Sequence, residues 1–135
     1  MRILSENINL EVQDFGSKED TPLLMISGYG SQLVDWPKSF INNLIKQKIR
    51  VIIFDNRDVG LSHKFSGKVI EDPKLIWRYS YSREKLPKEI KKPKIPYTLT
   101  NMAEDCINIL NVLDIDKAHI LGTSMGGMIA QLVAF

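Results

Sequence analysis

The chain has 135 residues, one domain's worth, and its 44% apolar and 25% charged residues match an ordinary soluble globular composition. A single cysteine, Cys106, excludes an internal disulfide, and a net charge of +2 points to no particular partner. The first residues, Met1 to Asn7, lack the apolar run of a signal peptide and no stretch approaches the roughly 18 apolar residues of a membrane span, so no membrane partner and a cytoplasmic location are expected.

From Asn7 to Phe15, the apolar residues Ile8, Leu10, Val12 and Phe15 alternate with polar neighbours, apart from a slip at Asp14, which predicts a half-exposed antiparallel strand. Gly16 to Asp20 reads as a polar turn. Leu23 to Ile26 is a short continuous apolar run, the pattern of a strand buried on both faces of a helix-covered parallel sheet, and the loop Ser27-Gly28-Tyr29-Gly30 follows it. Asp35 is placed to cap a helix whose early turn holds Pro37, with Trp36, Phe40, Ile41, Leu44 and Ile45 on one face. Val51 to Phe54 makes a second buried strand, ending at Asp55 and the polar turn Asn56 to Ser62. Strand, helix, strand implies a parallel crossover.

Residues 64–94 differ in character. They hold ten Lys or Arg against four Asp or Glu, three of the six prolines, and the aromatics Phe65, Trp77, Tyr79 and Tyr81, so this stretch carries +6 and the rest −4. Basic residues interleaved with aromatics can bind single-stranded nucleic acid. No recognised nucleic-acid module accompanies them, and the favoured reading of 64–98 is a solvated surface excursion, with no nucleic-acid partner.

Thr98 or Thr100 can cap the next helix, in which Met102, Cys106, Ile109, Leu110 and Leu113 recur at spacings of three and four. Cys106 sits in that stripe, which reads as packing rather than chemistry. Asp114 to Lys117 turns the chain into a further apolar strand. Strand and helix therefore alternate three times after residue 20, and the expected architecture is α/β with a mainly parallel sheet.

That last strand runs into Gly122-Thr123-Ser124-Met125-Gly126, and Met128, Ile129, Leu132 and Val133 continue at helical spacing. A Gly-x-Ser-x-Gly pattern arises by chance in roughly one chain in twenty of this length, but its place between strand and helix is the context of a nucleophile elbow. Such a turn pushes the serine hydroxyl out of the sheet's end, and Gly122 and Gly126 are then needed because a side chain would meet the folded-back backbone. Two other readings are weaker: a plain glycine-rich turn, and a phosphate cradle, for which neither Gly-x-Gly-x-x-Gly nor Gly-Lys-Ser/Thr is present.

Three separated signals resemble the α/β-hydrolase superfamily: the elbow around Ser124, the Ser27-Gly28-Tyr29-Gly30 loop, and Asp55-Asn56-Arg57-Asp58-Val59-Gly60-Leu61-Ser62. With Pro96-Tyr97-Thr98-Leu99 and Ser124 to Met128, they are most similar to esterases of the aclacinomycin methylesterase type. The resemblance implies that Ser124 is the nucleophile and that the backbone N–H groups of Tyr29 and Met125 form the oxyanion hole for a small-molecule ester, with no cofactor or metal. Ser27 stands where many relatives have histidine. For Asp55 and Arg57 the structural reading is preferred: they end a strand and pin a loop.

In this superfamily the acid and the histidine follow the serine, yet Met125 to Phe135 contains no Asp, Glu or His. His119 precedes Ser124 by five strand residues, roughly 17 Å at about 3.3 Å each, so it is read as structural. His63 lies at the same end of the sheet as Ser124 but without family support. The expectation is therefore that residues 1–135 are the N-terminal portion of one α/β-hydrolase domain, lacking its C-terminal strands and lid and inactive alone, with a complementary C-terminal chain as its candidate partner. A non-catalytic α/β domain is the alternative.

Overall fold

A computed structural model describes residues 1–66 and 96–135, so most of the basic stretch 64–98 lies outside the described residues. Five strands form one sheet: β1 (Arg2–Ser5), β2 (Ile8–Phe15), β3 (Thr21–Ile26), β4 (Ile49–Phe54) and β5 (His119–Gly122), in the spatial order β1-β2-β4-β3-β5. The sheet is mixed. β1, β2 and β4 pair antiparallel, whereas β4, β3 and β5 are parallel, with Leu24 opposite both Ile52 and Ile120.

Helices cover both faces, which is why β3 and β4 are apolar without alternation. On one side α1 (Lys38–Lys46) covers Leu23, Met25, Val51 and Ile53; on the other, α2 (Leu99–Val112) and α3 (Met125–Val133) cover Leu24, Ile26, Ile52 and Phe54. Each fully buried aliphatic side chain of this kind stabilises by about 1.5–3 kcal/mol. The slip at Asp14 has a physical reason: its carboxylate takes two hydrogen bonds from buried Arg50, at 3.0 and 2.7 Å, at the end of the same inner face.

Helix ends depart from expectation in one place. Asp35 does not cap α1; it belongs to a short 3-10 turn (Leu33–Asp35), where its carboxylate accepts from Gln32 N–H at 2.8 Å, and Pro37 precedes α1 without a side-chain cap. The proline ring holds the extended backbone that separates the two turns. Thr98 does cap α2, exchanging hydrogen bonds with Asn101. At the other end Asp114, at φ 56°, takes the left-handed position and Ile115 N–H reaches back to Leu110 O, which stops the helix and redirects the chain into β5.

Two features were not anticipated. β1 exists, with only Ile3 and Ser5 buried. In α3, Ile129 is buried, while Met128 and Leu132 of the same apolar series are exposed. Among the described residues β5 pairs only with β3.

Candidate active site

Because β3, β4 and β5 are parallel, the loops that leave their C-terminal ends share one end of the sheet. Ser124 follows β5 directly. Its backbone is at φ 52°, ψ −119°, a region costing on the order of 1–3 kcal/mol for a non-glycine residue, and the residue is exposed. The flanking glycines make this turn possible. A Cβ on Gly122 would overlap the backbone of Gly126, and one on Gly126 would overlap the carbonyl of Ile26, so strand, turn and helix are in backbone contact.

The turn is stitched to its surroundings by backbone bonds: Thr123 N–H donates to Ile26 O at 3.1 Å, Gly126 N–H to Thr123 O at 2.8 Å and Gly127 N–H to Ser124 O at 2.9 Å. Met125 N–H, the first of α3, donates to no group among the described residues, as expected for a helix's opening amide. The loop after β3 lies against the serine. A Cβ on Gly28 would sit 3.2 Å from Ser124 Cβ and 3.8 Å from its Oγ. Tyr29 follows, 87% exposed, and its N–H likewise has no partner among the described residues.

The turn after β4 holds this arrangement from below. Asp55, buried, accepts from Leu33 N–H at 2.7 Å through one oxygen and from Leu61 N–H at 2.8 Å through the other, tying two loops together. Gly60, at φ 50°, packs so tightly on that carboxylate that any side chain would overlap it. Arg57 donates to both oxygens of buried Asp105, at 2.7 and 2.8 Å, and Asp105 also accepts from Ser5 Oγ at 2.6 Å. Burial works against the Arg57 charge, but the Asp105 bonds outweigh it and its pKa lies above the ordinary value. Tyr97, stacked over the same guanidinium, donates to Asp58 at 2.7 Å; burial and that bond push its phenol up.

Both histidines are outside this arrangement. His119 opens β5 and Ser124 follows its far end, so the strand separates them. His63 uses its backbone to bond Asn9 and Asp58, and its ring packs edge-on against Phe65. Among the described residues no histidine or carboxylate hydrogen-bonds to Ser124 Oγ. Two residues matter here whose partners the sequence does not show. Asp105 is an acid inside the apolar stripe of α2, and that misplacement is the signal; Asn56, buried at 1% exposure, donates to Ser27 O at 3.1 Å, and its place in the Asp55–Ser62 motif says nothing of that partner.

A family description, the alpha/beta hydrolase fold, matches residues 21–134. The chain belongs to the α/β-hydrolase fold family. Among curated relatives, rhodomycin D methylesterase DauP of Streptomyces sp. (strain C5) is 27% identical over 132 residues, covering 98% of this chain and 36% of its own length. Among solved structures, epoxide hydrolase A of Mycobacterium thermoresistibile aligns at a TM-score of 0.72 with 16% identity, over 99% of this chain and 34% of that one. The enol-lactonase of Burkholderia xenovorans LB400 aligns at 0.68 with 21% identity, over 96% and 39%. This α/β-hydrolase chain thus spans little more than a third of the length of such relatives. Among its described residues no helix is long and apolar enough to cross a membrane.

Proposed function

We propose that Ser124 is the nucleophile of a serine hydrolase acting on small-molecule carboxylic esters, with the N–H groups of Tyr29 and Met125 as its oxyanion hole. The observation that carries this reading is an exposed serine at positive φ with Gly28 packed against it and the amides of Tyr29 and Met125 without a partner among the described residues. In the reaction the Ser124 oxygen bonds to the ester carbonyl carbon, its proton passes to an imidazole, and the carbonyl electron pair moves onto oxygen. Two fixed N–H donors stabilise that developing charge, each by a few kcal/mol. Expulsion of the alcohol leaves an acyl-serine, which water hydrolyses.

We propose further that the imidazole and its carboxylate come from sequence outside these 135 residues, in the same polypeptide or in a complementary chain, and that residues 1–135 alone are inactive. A serine without its base retains only residual catalysis. The alternative is a non-catalytic α/β domain. A fluorophosphonate probe separates the two: Ser124 is expected to be labelled when the remaining polypeptide is supplied and left unlabelled in residues 1–135 alone. No labelling of Ser124 under either condition overturns the hydrolase reading.

A further inference from the structure

We infer that Asn56 is a positioning residue for the oxyanion loop, setting the direction of the peptide that carries the chain from β3 to Tyr29. This rests on the reading of Ser124 as nucleophile only in what the positioning is for. The geometry stands by itself. Asn56 and Ser27 are 1% and 2% exposed, so the bond from Asn56 Nδ2 to Ser27 O, 3.1 Å, is shielded from water. The elbow also packs closely on that carbonyl, since a Cβ on Gly126 would lie 2.8 Å from Ser27 O. The preceding carbonyl, of Ile26, is held by Thr123 N–H.

A trans peptide is planar, and its carbonyl and N–H point in opposite directions. Fixing Ser27 O by its bond to Asn56 and its close contact with Gly126 therefore fixes where Gly28 N–H points and the plane from which Gly28 and Tyr29 continue. That plane brings Gly28 against Ser124. Asn56 is itself rigidly held: its own carbonyl accepts from Val59 N–H at 3.0 Å, and the adjacent Asp55 is anchored at both carboxylate oxygens. The position requires a donor. Leucine has similar bulk and none, so Asn56→Leu leaves Ser27 O buried without a partner.

The test combines backbone dynamics in the 135-residue chain with kinetics in the hydrolytically competent protein. In Asn56→Leu, the order parameters of the Gly28 and Tyr29 amides are expected to fall from about 0.85 to below about 0.6, with those of Leu24 and Ile52 unchanged. On a p-nitrophenyl ester, kcat is expected to fall about 100-fold with KM nearly constant, because misplacing a donor weakens the transition state rather than binding. Unchanged order parameters at Gly28 and Tyr29, an equal loss throughout the sheet, or a raised KM with kcat preserved would each overturn the inference. If Asn56→Leu does not fold, Asn56→Asp, which keeps the shape and replaces the N–H donors by a carboxylate that cannot donate when ionised, takes its place. In the unmodified protein the Asn56 side-chain protons must exchange at least about tenfold more slowly than those of exposed Asn43, and equal exchange overturns the inference without any variant. Absence of Ser124 labelling removes the hydrolase reading but leaves the dynamics result to stand or fall alone.

Discussion

The turn after β4 and the turn after β5 leave the same end of the sheet and use their polar groups in opposite ways. Between Asp55 and Ser62 the polar groups are committed. Asp55 holds two loops, Arg57 is matched to Asp105, and Ser62 Oγ donates to Asp55 O at 2.6 Å while accepting from Glu11 N–H at 2.9 Å. Around Ser124 the backbone is strained, the serine is exposed, and Met125 N–H and Tyr29 N–H have no partner among the described residues. Committed groups build a frame, whereas open donors beside a projecting hydroxyl are available to a substrate. Conspicuous charge alone therefore marks architecture as readily as chemistry.

The contrast is broken most severely by Ser124→Ala. In the hydrolytically competent protein it is expected to lower turnover by on the order of 10⁶, the loss known when a serine triad is broken, with the melting temperature nearly unchanged. A large shift in melting instead would place Ser124 in the frame. Asp105→Ala should do the reverse, destabilising by about 3–5 kcal/mol in denaturant titration because it leaves the Arg57 guanidinium buried and uncompensated. The double replacement Arg57→Met with Asp105→Leu is expected to recover most of that loss, as a frame role requires.

Gly122→Ala tests the join between the two regions. Its new methyl would overlap the Gly126 backbone, so a cost of about 1–3 kcal/mol and a lowered Ser124 reactivity are expected together. The smallest expected effect concerns Cys106 in α2. Burial raises its thiol above the ordinary value of 9.0, so the folded state favours the neutral form. That contribution is complete below the ordinary thiol value and is lost as pH rises above it. A Cys106→Ala variant should lose less stability between pH 8 and 10 than the parent, and the parent thiol should resist iodoacetamide until unfolding.

What could be read beforehand follows from range. The buried strands Leu23–Ile26 and Val51–Phe54, the stripe of α2 and the Ser124 turn all carry their signal within about a dozen consecutive residues, and family membership came with them. β1 did not, since two inward positions in four residues make no pattern, and one of them, Ser5, is polar because it meets Asp105. Asp35 looked like a cap for α1 because it precedes Pro37, yet the nearer amide of Gln32 took it. Met128 and Leu132 fit the helical period but lie exposed, because period says which residues share a face and nothing about what covers it. The bonds Asn56–Ser27 and Arg57–Asp105 span 29 and 48 residues, and no local pattern announces a partner so distant.

An oxyanion hole at Ser124 requires the amides of Tyr29 and Met125 to face the serine's reaction centre. The measurement that asks this most directly is the structure of the competent protein after reaction with a fluorophosphonate, in which a phosphoryl oxygen stands in for the oxyanion. The account predicts that oxygen about 3 Å from both Tyr29 N and Met125 N, on a phosphorus bonded to Ser124 Oγ. An adduct whose oxygen turns to solvent, with either amide bonded elsewhere, would contradict it.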